Sequence, residues 1–379
     1  MECRTGGLGS PESAQRMISP WSLPGPSNYF SCLLDELREG QNLIIPTPAT
    51  GPIGIASELD GLLCKEGWQT SSLRCDGCSL PLDQLFDSLS SDEKRGSPRS
   101  VAKLRQMLSF GQVVIVDGVG SQSWDAWRDF LIEYEVASRG VSSFDRTLFA
   151  VIVRGIPMVR MPDQAVALKS VPWRDVVGEI DMRLYVHEAL RERRPHSTWT
   201  RLLTQVIVKI ALWDFELADF LIEADSKELF DPKVLLEMAM TMPNKAIVLF
   251  GDWESGGIQH FDGVEMKHSY LLVADFEGQS EIRMRLWAAQ ASEMLPTIEL
   301  QRRALALRMR DHLPMPIRLN DENVKDLNDV EIGTLAFLAC KYNLRNSIIQ
   351  AANRLRRFRN KLAHLEPLNA DEALELNSH

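Results

Sequence analysis

Asn42-Leu43-Ile44-Ile45-Pro46-Thr47-Pro48-Ala49-Thr50-Gly51-Pro52-Ile53 reads as a strand that runs into a turn. Residues 42–45 form a short apolar run with two β-branched residues, as a buried strand requires. The prolines and Gly51 then punctuate the chain. From Ile53 to Lys65 the apolar positions Ile55, Leu59, Leu62 and Leu63 return at helical spacing. Downstream the same alternation recurs. Thr70–Arg74 predicts a second strand, and Val101–Leu108 a helix. Gln112-Val-Val-Ile-Val-Asp117 is the clearest strand of all; Trp124–Ser138 predicts a helix, and Thr147–Val153 another buried strand. Strands that alternate with helices imply an α/β fold, doubly wound around a mainly parallel sheet. Residues 28–186 are assigned to it, with Tyr29–Arg38 as a first helix and Val176–Leu184 leading out. Ser91–Arg99 is expected as a charged surface excursion, and residues 1–27, rich in Gly and Pro, as a flexible arm.

Beyond this domain the period changes. Residues 187–245 read as helical, a lid or linker domain, with Trp199–Phe215 carrying the broad apolar face Leu202, Leu203, Val206, Ile207, Ile210. Met238, Met240 and Met242 are expected to fill a core. Residues 246–280 form a structured connector. His260, Asp262 and His268 within it have spacing that suits neither a helix nor a paired turn, so no metal site is expected there. The final region, 281–379, reads as an all-helical bundle: Glu281–Met294 ending before Pro296, Thr297–Leu313, an acidic loop at Asn320–Leu327, Val330–Tyr342, Leu344–His364, and a short turn at Asp371–Leu376.

A length of 379 residues predicts two or three domains. A hydrophobic content of 45% and a charged content of 25% are those of a globular protein. The net charge of −10 excludes a generic nucleic-acid coat protein, yet Arg345–Lys361 carries six basic residues and no acidic one. No apolar run reaches the roughly 20 residues a membrane helix needs, and Met1–Gly7 lacks a basic-then-apolar signal pattern, so a cytoplasmic location and no membrane partner are expected. The lone Cys75-Asp-Gly-Cys78 predicts a turn with two ordinary thiols. No cofactor and no metal is expected.

The densest chemistry lies in Arg354-Leu355-Arg356-Arg357-Phe358-Arg359-Asn360-Lys361-Leu362-Ala363-His364. Leu355, Phe358, Leu362 and Leu365 form one apolar stripe. Arg356, Asn360 and His364 recur at steps of four on another face, with Arg359 placed beside them. Arginine can fork onto phosphate oxygens, and imidazole can move a proton near neutral pH. Arg191–His196 has the same Arg-to-His spacing, but Pro195 would break its helix.

Arg359, Asn360 and His364 resemble the Arg-polar-x-x-x-His signature of the HEPN family (higher eukaryotes and prokaryotes nucleotide-binding domains), in which four to six residues separate an Arg from a His on one helix. The resemblance implies a HEPN-like bundle over 281–379. It also implies a metal-independent endoribonuclease with Arg359, Asn360 and His364 as catalytic residues, and Arg354, Arg356, Arg357 and Lys361 as RNA-binding residues. RNA, tRNA included, would be the substrate, and the site would form in a homodimer through the C-terminal domain. A role in antiviral defence or a toxin–antitoxin pair follows by analogy, with a partner protein of the same system. Other members of the family are non-catalytic, so an interaction or dimerisation subunit is the alternative.

The N-terminal order resembles a P-loop ATPase core of the AAA or STAND kind, but in degenerate form. A working loop reads G-x-x-x-x-G-K-[ST]. Laid on residues 46–53, that pattern keeps Gly51 but meets Pro52 in place of Lys and Ile53 in place of Ser or Thr. Asp117 keeps one carboxylate at a strand end, and Gly118 follows it where a catalytic Glu would stand. ATP hydrolysis is therefore not expected. Gly51 and Asp117 mark a degenerate nucleotide site suited to sensing or docking, or else belong to an unrelated doubly wound domain. Nucleotide binding without hydrolysis stays open.

Overall fold

The computed structural model describes residues 18–89, 99–108, 111–142, 145–162, 167–193, 198–241, 250–273, 276–319 and 322–377. In chain order the N-terminal part contains α1 (Pro24–Arg38), β1 (Asn42–Thr47), α2 (Ile55–Lys65), β2 (Gln69–Arg74), α3 (Pro81–Leu89), α4 (Val101–Met107), β3 (Gln112–Val119), α5 (Trp124–Ala137), β4 (Leu148–Arg154) and β5 (Leu168–Ser170). The five strands form one sheet in the order β2-β3-β4-β1-β5, with every pair parallel. Ile45 lies opposite Ile152, and Ile115 opposite Ala150.

Because side chains alternate along a strand, each strand feeds two cores. Leu43, Ile45, Val113, Ile115, Leu148, Ala150 and Ile152 point to the side covered by α1 and α2. Ile44, Val114, Val116, Phe149, Val151 and Val153 point to the side covered by α3, α4 and α5, where they meet Leu85, Leu104, Trp127, Leu131 and Tyr134. Each such Val, Leu, Ile or Phe side chain contributes about 1.5–3 kcal/mol by leaving water. The expected α/β domain with a parallel sheet is therefore present. The sequence reading passed over α3 and β5. A strand of three residues is too short to show a period, and α3 follows directly on a run of turn residues.

The mainly helical remainder comprises α6 (Glu179–Arg193), α7 (Thr198–Ala211), α8 (Phe215–Glu223), α9 (Lys233–Met240), a hairpin of β6 (Ile258–Phe261) and β7 (Val264–Lys267), α10 (Ser269–Leu272), α11 (Phe276–Arg310), a hairpin of β8 (Ile317–Leu319) and β9 (Glu322–Val324), α12 (Ile332–Lys341), α13 (Asn346–Ala363) and α14 (Ala370–Asn377). Among the described residues no helix is long and apolar enough to cross a membrane.

Several expectations are corrected. The arm expected over 1–27 has its residues 1–17 outside the described ones; from Pro20 onward it is structured. Pro24 and Pro26, part of that Gly- and Pro-rich stretch, occupy the first turn of α1, where a missing N–H costs nothing. Gly25 is required there, since a Cβ would lie 1.9 Å from the Val176 carbonyl oxygen. The excursion at Ser91–Arg99 lies outside the described residues except for Arg99, which bridges Asp83 and Asp87 at 2.6 Å each.

The helix break expected at Pro296 does not occur, because α11 runs 35 residues through it. Proline normally costs a helix interior about 3 kcal/mol, but Met294 and Ile298 on either side of it are buried in the main core, and that packing overrides the local preference. The acidic loop expected at 320–327 contains β9 paired with β8; residues 320 and 321 are outside the described ones. Met238 and Met240 are exposed rather than core-filling; in that turn Leu235, Leu236 and Ala239 take the inward positions. Met242 lies outside the described residues. Helix α7 stops at Ala211, short of Phe215, with Leu212 in a left-handed conformation at φ 55°.

Candidate functional site

The C-terminal site is built on α13. Ile348, Ala352, Leu355, Phe358 and Leu362 are spaced by four, three, three and four, and all are buried. That stripe docks α13 against α11 and α12 and turns the basic residues outward. The helix end is fixed by a Schellman arrangement. The Glu366 amide donates to the Lys361 carbonyl at 2.9 Å and the Leu365 amide to that of Leu362 at 3.3 Å, with Leu365 left-handed at φ 60°. The Trp287 indole N–H donates to the same Leu362 carbonyl at 2.7 Å, which ties the helix end to α11. His364 is the residue at this C-cap, so its position is set by backbone geometry as well as by the stripe.

Arg356, Asn360 and His364 are exposed and line one open groove of about 940 Å³ together with Arg354, Arg357 and Lys361. The step-of-four ridge read from the sequence is therefore present. Arg359 is not in it. Its side chain lines a separate cavity of about 290 Å³ beside Glu299, Arg302, Asp329 and Glu331. Five residues of helix turn the chain by about 500°, which leaves Arg359 and His364 some 140° apart around the axis. The structure thus brings Asn360 and His364 together with Arg356 and Arg357, and sets Arg359 elsewhere.

The groove carries its own counter-charges. On α14, Glu372 lies 2.8 Å from Lys361 and Glu375 lies 3.3 Å from Arg357 and 3.7 Å from Arg354. The sequence showed these acids only as a final turn, and nothing in their spacing pointed at α13. Burial alone would push the Glu372 carboxyl up. The hydrogen bonds from Lys361 and the Asn369 amide, with the nearby charges of Lys361 and Arg357, outweigh that and hold it below the usual carboxylate range. A carboxyl depressed by folding stabilises fully above its unfolded value, about 4.3, and that stability is lost as pH falls through the lower folded value. The Tm difference between wild type and Glu372→Gln is accordingly expected to be largest at about neutral pH and to shrink in acid as pH falls through the lowered folded value, in a scanning calorimetry series.

The N-terminal site lies where β1 meets α2. Gly51, at φ 151°, and residues 48–53 line a second cavity of about 370 Å³. Asp117 does not line it. The Asp117 carboxylate accepts from the Arg154 guanidinium at 2.9 Å, which ties the ends of β3 and β4 together. Two of the loop amides are spent inside the protein. Ala49 N–H donates to the Glu254 carbonyl at 2.7 Å, and Gly51 N–H to that of Pro48 at 3.2 Å. Residues 253–257 close onto the loop so tightly that a Cβ at Gly256 would sit 2.1 Å from the Thr50 hydroxyl oxygen. Pro48 and Pro52 have no amide to offer. A phosphate would find a cradle short of these four donors, and no lysine at the position the pattern requires.

Other candidates are dispersed. The His260 ring lies 3.4 Å from Asp175, Asp262 accepts from the Glu179 amide at 2.9 Å, and His268 caps α10. No group of three or more His, Cys, Asp or Glu among the described residues is placed to hold a metal ion. Cys75 and Cys78 are free thiols flanking a turn in which Asp76 accepts from the amides of Cys78 and Ser79 at 2.9 Å.

No protein-family model and no curated protein matches the chain. It is similar to a chain in the structure of Drosophila ORC bound to DNA, at 13% sequence identity and a TM-score of 0.30, with 93% of this chain and 88% of that chain covered. At that score neither function nor ligand carries across. The chain is an α/β protein with a parallel five-stranded sheet, followed by a mainly helical region.

Proposed function

We propose that the α13 groove is a metal-independent RNA-cleaving site of HEPN type, working in a homodimer. The observation that carries this reading is the convergence of an exposed imidazole, an amide and arginines in one open groove. His364 takes the proton from a ribose 2′-hydroxyl, and the oxygen attacks the adjacent phosphorus. The bond to the 5′-oxygen breaks, leaving a 2′,3′-cyclic phosphate and a 5′-hydroxyl once that oxygen is protonated. Arg357 supplies the charge for the pentacoordinate phosphate, in place of Arg359. Six residues separate it from His364, still within the family spacing. Asn360 orients the imidazole or a phosphate oxygen, and Arg356 and Lys361 hold the strand. One histidine per chain serves one proton transfer, so a second copy provides the acid for the leaving oxygen. The α/β domain is the sensing or docking part of a defence or toxin–antitoxin effector.

A second reading is favoured by the ion pairs of α14. With Arg354, Arg357 and Lys361 already facing Glu372 or Glu375, the groove also suits a non-catalytic interaction subunit that grips RNA or an acidic partner. Incubation of total RNA and tRNA with the full chain in EDTA separates the two. Fragments ending in cyclic phosphate are expected, and RNA that stays intact at every protein concentration, including with the system's partner protein added, sinks the cleavage reading.

A further inference from the structure

The basic groove on α13 is partly occupied from within. Glu366 and Glu375 are the acids in its lining. Glu375 stands between two of the arginines, with Oε2 3.3 Å from Arg357 Nη2 and Oε1 3.7 Å from Arg354 Nη1. Glu372, one turn earlier on α14, faces Lys361 at 2.8 Å. Acids at 372 and 375 thus meet cations at 354, 357 and 361, one helical spacing against another. The two ends of this clamp differ in access. Glu372 and Lys361 are 14% and 28% exposed, whereas Glu375 and Arg357 are 44% and 54% exposed. The Glu372 end is a fixed part of the fold. The Glu375 end faces solvent, where an ion pair is weak.

Helix α14 does not need Glu375 in order to stay in place. Ala370, Ala373 and Leu376 are buried, the Gln301 side-chain amide donates to the Leu376 carbonyl at 2.9 Å, and Asp371 faces Lys227 at 3.0 Å. Arg357 is held as well, with its guanidinium over the Phe358 ring at 4.9 Å from the centroid. The carboxylate can therefore leave the arginines with neither helix moving. We infer that Glu375 is a built-in competitor for the RNA strand: its carboxylate occupies the Arg354–Arg357 pair in the free protein, and a backbone phosphate takes its place when RNA enters the groove. The inference rests on the reading of the groove as an RNA site, cleaving or gripping alike. Geometry favours the exchange. At 3.7 Å the Arg354 contact is too long for a hydrogen bond, so Glu375 satisfies one arginine better than the other, and a phosphate seated between the two guanidinium groups reaches both. Two consequences follow from the competition. Displacing the carboxylate weakens the binding of every strand that uses these arginines. An arginine that begins paired to a carboxylate also has fewer counterions to release, so binding falls less steeply with salt than the number of arginines implies.

The test measures, by fluorescence anisotropy over a salt series, how the full chain binds a fluorescein-labelled single-stranded 2′-O-methyl RNA 12-mer. This probe keeps the phosphates and has no 2′-hydroxyl to attack them. Glu375→Gln is expected to tighten binding about two- to fivefold, the worth of an exposed ion pair. It should also steepen the slope of log K against log salt by about 0.7 for each arginine released. Asp371→Asn removes the same charge from the same helix outside the groove lining, and should change neither quantity. On an Arg357→Ala background, Glu375→Gln should gain less than about twofold, because the partner it releases is gone. The Tm of each variant without RNA shows that it folds. Affinity and slope unchanged in folded Glu375→Gln overturn the inference and leave the RNA reading standing. An equal gain in Asp371→Asn also overturns it, since the effect would then be general charge repulsion. Absence of saturable binding by both wild type and Glu375→Gln overturns the RNA reading and the inference together.

Discussion

Cleavage by His364→Ala is expected to fall by roughly 10²–10⁴-fold, the usual worth of a positioned proton-transfer group, with the Tm almost unchanged. The side chain is exposed and makes no packing contact that the fold needs. Its main chain is held by the Schellman arrangement, which alanine can also adopt. Arg357→Ala should cost about 10²–10³-fold, as loss of one charge-stabilising donor does. Arg359→Ala is the contrasting arm. Arg359 opens onto the cavity beside Glu299 and Asp329, so its loss should leave the cleavage rate within a factor of about three, less than the ~1 kcal/mol typical of a working contact. Initial rates on a single tRNA in EDTA measure all three. A rate lost with Arg359 and kept without Arg357 would return the charge role to Arg359 and refute the assignment made from the groove.

Phe358→Ala is expected to destabilise the protein by about 3–5 kcal/mol, the range for emptying a buried aromatic site. Phe358 is fully buried at the centre of the α13 stripe, and neighbouring helices cannot close over the space without moving α11 or α12. The Arg357 guanidinium also stacks over its ring at 4.9 Å from the centroid, so truncation removes a support of the groove as well as core volume. Urea denaturation should show a lower midpoint with the slope retained. A change below about 1 kcal/mol would mean that the stripe does not anchor α13 in solution.

The parts legible in the sequence were those where one physical signal dominates. The strands β1, β3 and β4 are continuous apolar runs because both faces of the sheet are covered, and the α13 stripe is a plain helical period. Signals failed where two preferences compete. Pro24 and Pro26 stood in a stretch read as a flexible arm and Pro296 was read as a breaker, but first-turn geometry accommodates the first two and packing on both sides overrides the third. Arg359 was read by spacing along the chain, whereas membership of the groove depends on angle around the helix. The cavity beside Gly51 was invisible for another reason. Trp21, Trp173 and Trp213 lie far apart in sequence and come to line one cavity only in the folded chain, and no local period encodes that.

The long helix α11 bears on how the molecule can be divided. Over about 50 Å it lies against α7 at one side and α13 at another, and its buried residues Leu286, Met294, Ile298 and Met309 belong to the same continuous core as Leu43 and Ile152 of the sheet. A fragment starting near residue 281 would keep the groove residues but leave the α7-facing flank of that rod bare, as an exposed apolar wall. Sheet and bundle share one continuous core, so the groove is expected to depend on the whole chain rather than on a separable module.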